Sequence, residues 1–106
     1  MSKPVKKLLR IYTDEAATVG DRKVFEHIVS LARRRHLAGV TVLAALLGFG
    51  RSSHLHRPDV LASDRSVVIE IIDDEDALRA FASELHAELS VGLMTLEPVE
   101  ILDDGT

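Results

Sequence analysis

Apolar and polar positions along this chain alternate with a period of two, shift to a helical spacing, and then repeat that order. Val5 to Tyr12 alternates imperfectly, with Leu8, Leu9 and Ile11 beside Arg10, and predicts a first strand. The stretch "TDEAATVGD" follows as a turn, with Asp21 placed to cap a helix because its carboxylate can accept from the free amides of a first turn. From Arg22 to His36, the residues Val24, Phe25, Ile28, Leu31 and Ala32 fall on one helical face. Arg33, Arg34, Arg35 and His36 crowd the last turn, where the helix dipole favours cations, and Gly39 reads as the stop. Val40 to Leu47, "VTVLAALL", begins β-branched and is too short for a separate helix, so it predicts a second strand.

The second half repeats the first. Val67 to Ile72, "VVIEII", is a nearly continuous β-branched run and the strongest strand signal in the chain. Asp73 and Asp74 end it and are placed to cap a helix, whose core stripe is Leu78, Phe81, Ala82, Leu85 and Leu89. Gly92 reads as a stop, and Leu93 to Leu102 predicts a fourth strand. Pro98 lacks a ladder donor, so that strand belongs at a sheet edge or carries a bulge. The acidic tail Asp103–Thr106 is expected to fray. The order β-α-β-β-α-β predicts one α+β domain over residues 1–106, with the ferredoxin-like arrangement of a four-stranded antiparallel sheet carrying two helices on one face. Strand two is apolar on both sides, through Val40, Val42, Ala44 and Leu46 and through Leu43, Ala45 and Leu47. Strand three adds Val68 and Ile72 behind Val67, Ile69 and Ile71. Two helices leave the second face uncovered, so the pattern predicts an oligomer.

Composition narrows the function. Trp is absent and aromatics are 4% of the 106 residues, so the core is aliphatic. A net charge of −4 gives no basic footprint for nucleic acid. The absence of cysteine excludes disulfides, thiol catalysis and Cys-ligated zinc. No long apolar run follows Lys3, Lys6 and Lys7, and none is long enough to span a bilayer, so a cytoplasmic protein is expected. Neither a nucleophile elbow nor the Gly-x-x-x-x-Gly-Lys phosphate loop occurs, which favours a binding protein over an enzyme.

What remains is a long irregular segment, about residues 49–66, opened by "GFGR". Gly48 and Gly50 flank Phe49 where a strand enters this loop. Their backbone amides would suit an anion, with Arg51 pairing to phosphate; alternatively they only terminate the strand. His54 and His56 place two imidazoles on one side of an extended segment, a partial metal pair that Asp59 could join, although zinc takes three or four protein ligands. Arg51, His54 and Arg57 also make the loop a cationic surface for an anionic ligand or partner. Asp14 and Glu15, after strand one, would repel phosphate and read as structural.

The stretches "KLLRIYTDE", "LAGVTVLAALLGFG", "SVVIEIIDDEDALRAF" and "GLMTLEPVEIL" together resemble the PII-like family of small trimeric proteins, first catalogued as a domain of unknown function. The resemblance covers about residues 6 to 102. It implies a homotrimer of ferredoxin-like subunits, with ligand clefts between neighbours and the 49–66 loop as an effector arm that ligand binding orders. It further implies an adenine nucleotide effector and docking on a partner such as a membrane transporter or ion channel. The ligand-binding residues would be Gly48, Phe49, Gly50, Arg51 and His54 on one side, and Val91, Gly92, Leu93 and Met94 on the other. Two departures bear on this. No Lys or Arg follows Arg79, so AMP or ADP is easier to hold than ATP, and Tyr12 is the only tyrosine, so the loop tyrosine that many PII proteins carry for nucleotidylation is absent. The trimeric copper-tolerance proteins resemble the same architecture and keep a divalent-metal function as the alternative.

Overall fold

The strongest strand signal lies at the centre of the sheet. In the computed structural model, which describes residues 5–46, 48–49, 55–56, 65–89 and 91–106, the "VVIEII" run extends to β7 (Ser66–Asp74). It pairs antiparallel with β1 (Lys6–Asp14) on one side and with β4 (Val40–Ala44) on the other, while β8 (Met94–Pro98) pairs with the free side of β1. The order β4-β7-β1-β8 is the antiparallel ferredoxin-like sheet that the sequence predicts, with Pro98 on an edge strand opposite Lys7. The helices are α1 (Val24–Arg34) and α2 (Glu75–Glu88). Two short ladders complete the described elements: β2 (Thr18–Val19) with β3 (Arg22–Lys23), and β5 (Gly48–Phe49) with β6 (Leu55–His56).

Register explains the core. Leu9 stands opposite Ile71 and Leu96, and Ile11 opposite Ile69 and Met94, so alternate residues of adjacent strands line one face. Onto that face the helices lay the stripes read from their spacing: Val24, Ile28, Leu31 and Ala32 from α1, and Leu78, Phe81 and Leu85 from α2, all buried. Phe25, Ala82 and Leu89 pack at its margin. Arg35 clasps the two helices through Glu84, with Nε donating to Oε1 at 2.9 Å and Nη2 bonding Oε2, and this pairing holds the Glu84 carboxyl below its usual range.

The helix boundaries differ from the sequence expectation. Asp21 does not cap α1. Gly20, at φ +62°, turns the β2–β3 hairpin and carries Asp21 into the turn; the Ala17 carbonyl then accepts from Val24 N–H at 2.9 Å, and Lys23 occupies the N-cap position. Nor does Gly39 stop α1. His36 adopts φ +60°, with His36 N–H donating to the Arg33 carbonyl and Leu37 N–H to that of Ala32, the paired bonds of a left-handed helix terminus. A non-glycine residue is strained there, so His36→Gly is expected to raise stability by about 0.5–1 kcal/mol, seen as a higher urea midpoint at unchanged slope. Asp74 takes the N-cap position of α2 but its carboxylate accepts from Lys6 Nζ at 2.5 Å and caps no helix amide, while Asp73 accepts from its own neighbour Asp74 N–H at 2.7 Å and from Ala38 N–H at 2.9 Å. β4 ends at Ala44 and β8 at Pro98, both short of the expected Leu47 and Leu102; past β8, Ile101 and Leu102 are exposed. In the tail, Asp103 and Asp104 accept from the backbone amides of Gly105 and Thr106.

The sheet's second face is less uniformly apolar than expected. It carries Tyr12, Leu43 and Ile72, exposed to 37%, 47% and 42%, around a charged centre. There Arg10 Nε donates to Glu70 Oε2 at 3.0 Å and its Nη1 reaches Glu97, and these bonds raise the Arg10 pKa further. Glu70 lies within the "VVIEII" run, and its pairing across to Arg10 depends on register that the run alone does not encode.

Candidate functional site

Four chain segments meet at one end of the sheet: the ends of β1 and β4 and the starts of β7 and β8. The long loop leaves and returns here. Its base is fixed by backbone bonds, Ala45 N–H to the Ser66 carbonyl at 2.8 Å and Glu15 N–H to the Arg65 carbonyl at 2.7 Å. Arg65 Nε also donates to Glu15 Oε2 at 3.2 Å. Asp14 stands opposite Ser66 in the ladder, so this pair continues the strand register by one residue. Glu15 therefore has a definite structural role, as a clamp on the loop's return. The Arg65–Glu15 pairing is missing from the sequence reading because it becomes visible only once β1 and β7 are known to be partners.

Of the residues expected to bind ligand, Gly48 and Phe49 form β5, with Gly48 opposite His56 and Phe49 opposite Leu55. The segment expected to be irregular thus contains a short ladder, and Ser66 at its far end belongs to β7. Gly50, Arg51 and His54 lie outside the described residues. Among the described residues no three His, Asp or Glu side chains gather as a metal site, so a metal reading rests on His54 and His56.

The opposite group is fully placed. Val91 and Met94 pack against the core, whereas Leu93 is 60% exposed. Gly92 lies flat against the first strand: a Cβ there would stand 2.3 Å from the Tyr12 carbonyl oxygen. Tyr12 N–H in turn donates to the Leu93 carbonyl at 2.8 Å. Only a residue without a side chain allows the backbone this approach. A ligand at this turn would meet its backbone and Leu93, because the Val91 and Met94 side chains are committed to packing.

The strands that lead to the two groups are not neighbours in the sheet. β4, which leads to Gly48 and Phe49, and β8, which follows Val91–Leu93, are opposite edges of the sheet, three strand spacings or roughly 14 Å apart. They share an end of the sheet but face away from each other.

The family model described as "DUF190: Uncharacterized ACR, COG1993" matches residues 6–101. The chain belongs to the DUF190 family. This DUF190 chain is 36% identical over 99 residues to a UPF0166 protein of Aquifex aeolicus (strain VF5), an alignment covering 92% of this chain and 93% of the relative. Among solved structures, its fold is similar to that of a protein of Thermus thermophilus described as a PII-like signaling protein, with a TM-score of 0.66 at 17% identity, over 92% of this chain and 91% of that one. It is also similar to CPII of Thiomonas intermedia K12 bound to ADP and bicarbonate, with a TM-score of 0.65 at 22% identity, over 93% and 89% of the two chains. The divalent ion tolerance protein CutA1 of Ehrlichia chaffeensis gives a TM-score of 0.63 at 12% identity, over 97% and 89%. At these identities the likeness establishes a shared PII-like, ferredoxin-like fold for the DUF190 chain. No helix among its described residues is long and apolar enough to cross a membrane.

Proposed function

We propose that this protein is a non-enzymatic PII-like regulator that binds an adenine nucleotide at clefts between the subunits of a homotrimer. The observation that carries this reading is that the chain leaves β4 toward Gly48–Phe49 at the same end of the sheet where Val91–Leu93 enter β8, on the opposite edge. A ring of subunits would bring one edge to the other. Gly48, Phe49, Gly50, Arg51 and His54 of one subunit would then face Val91, Gly92, Leu93 and Met94 of the next. The binding of ADP by CPII, a protein of similar fold, supports a nucleotide as the effector. No Lys or Arg follows Arg79, while Glu84, Glu88, Glu97, Glu100, Asp103 and Asp104 do, so the second half of the cleft suits AMP or ADP better than a triphosphate. Ligand at the base of the 49–66 arm would change how that arm meets a partner, a membrane transporter or ion channel being the partner class proposed.

Isothermal titration calorimetry with AMP, ADP, ATP and cyclic nucleotides tests the reading. AMP or ADP is expected to bind more tightly than ATP. Arg51→Ala should weaken binding by about 10- to 100-fold, the loss of one charge-assisted hydrogen bond of roughly 1.5–3 kcal/mol. No heat at millimolar nucleotide overturns it. The same titrations with copper and zinc address the divalent-metal alternative raised by the CutA1-like fold: stoichiometric metal lost in His54→Ala/His56→Ala would replace the nucleotide reading.

A further inference from the structure

A groove of about 740 Å³ lies between α1 and the β4 edge, from Arg22 beside the start of α1 to Ala38 and Gly39 beyond its end. α1 carries a second stripe beside its core stripe, in which Phe25 and Val29 share the groove with Val42 of β4, and Arg22 and Arg33 also line it. Arg22 precedes α1, in β3, and Arg33 lies in its last turn; the helix from Val24 to Arg33 rises about 14 Å. Arg10, Arg35, Arg65 and Arg79 are each paired with a carboxylate, but among the described residues Arg22 and Arg33 have no ion pair. β4 itself is an open edge of sequence "VTVLA", without the charged residue or proline that usually blunts an edge strand. The groove therefore combines an apolar floor, Arg22 and Arg33 with Glu26 between them, and a strand edge that no other described strand pairs.

One segment of the chain has the complementary pattern. After β8 the tail reads "EILDDGT", and Leu102 is 89% exposed. In an extended conformation side chains alternate, so Glu100, Leu102 and Asp104 point to one side, carboxylate, isobutyl, carboxylate. Four residue steps separate the two carboxylates by about 13 Å, within side-chain reach of the two arginines. Thr106 already holds the Asp104 carboxyl below its usual range, so it is ionised at neutral pH. The tail leaves from β8, the edge opposite the groove, which makes a second copy the natural donor.

We propose that the segment Glu100–Asp104 of one subunit seats in the α1–β4 groove of the next, with Leu102 between Phe25 and Val29 and the two carboxylates toward Arg22 and Arg33. Each subunit offers one groove and one tail on opposite edges, so the contact is head-to-tail, the type from which the proposed ring is built. The inference rests on the homo-oligomer reading above and names the segment that latches its neighbours.

The chain has no cysteine, so an engineered disulfide reports the contact cleanly. On mild oxidation, Val29→Cys/Leu102→Cys is expected to give covalent multimers on a non-reducing gel, and each single-cysteine variant far fewer. Adding Arg33→Glu should lower the multimer yield at least fivefold, and further adding Asp104→Arg should restore part of it. If the unmodified chain associates in sedimentation velocity while the double-cysteine variant stays uncross-linked, or closes within one chain, the tail latch is overturned and the oligomer stands. A chain that sediments as a monomer at all concentrations overturns both.

Discussion

Gly92→Ala is expected to destabilise the protein by about 3 kcal/mol and to abolish ligand binding with it. The added Cβ would stand 2.3 Å from the Tyr12 carbonyl oxygen and 3.3 Å from its carbon. Both atoms belong to the backbone of a central strand, so no side-chain rotation relieves the contact. Overpacking of this kind costs roughly 1–3 kcal/mol, and separating the strands also breaks the Tyr12 N–H to Leu93 carbonyl bond, worth about 0.5–1.5 kcal/mol. The control is Gly39→Ala, where a Cβ meets nothing within 4 Å and the backbone is not left-handed, so a change within about 0.5 kcal/mol is expected. Urea denaturation of the two variants separates the cases. Equal midpoints would mean that the turn into β8 does not press on β1. Because this contact sets where Leu93 and the neighbouring amides lie, a Gly92→Ala chain held folded at low temperature should still fail to bind nucleotide.

How far the chain can be read without its structure depends on whether a feature is periodic or pairwise. The stripes Leu78, Phe81, Leu85 and Val24, Ile28, Leu31 are periodic, and the sheet they cover takes its place from β-branched runs that have few other uses. That was enough for the ferredoxin-like order and for Pro98 at an edge. Features set by two distant residues were not legible. Arg10 and Glu70 are ordinary charges in their own strands, and only the β1–β7 register makes them neighbours on the uncovered face. The Arg65–Glu15 clamp is hidden for the same reason. Helix ends were misread where chain geometry outweighed residue preference: a hairpin two residues deep carries the Ala17 carbonyl to α1, leaving Asp21 no role, and His36 takes the left-handed position that glycine usually holds. At the candidate site, the glycine signal at position 92 was legible as a helix stop. Its reason, close contact with Tyr12, was not, because it lies 80 residues away in sequence.

Leu43→Asp combined with Ile72→Asp is expected to convert the oligomer to a folded monomer. Both side chains stand on the face of the sheet opposite the helices, on either side of the Arg10–Glu70–Glu97 centre, and each is exposed in the single chain. Aspartate is disfavoured in a strand, so the two substitutions are expected to cost an isolated subunit about 1–2 kcal/mol, which leaves it folded. If the face is covered by neighbouring subunits, burying the half of each aliphatic side chain that is still exposed contributes about half of the roughly 1.5–3 kcal/mol for full burial. The pair then accounts for about 1.5–3 kcal/mol per subunit, about ten- to a hundredfold in the association constant, before the cost of burying two carboxylates. The charged centre does not oppose this burial as lone charges would. Arg10 already satisfies Glu70 and Glu97 within its own chain, so covering the face leaves no unpaired carboxylate there, although desolvating the cluster offsets part of the apolar gain. In such an assembly the aliphatic flanks would drive association and the ionic centre would restrict how the faces can stack. Sedimentation velocity on the double variant, with far-UV circular dichroism to confirm the fold, should give a monomer over the concentrations where the unaltered chain associates. Unchanged association would place the interface elsewhere and leave the uncovered face to some other partner.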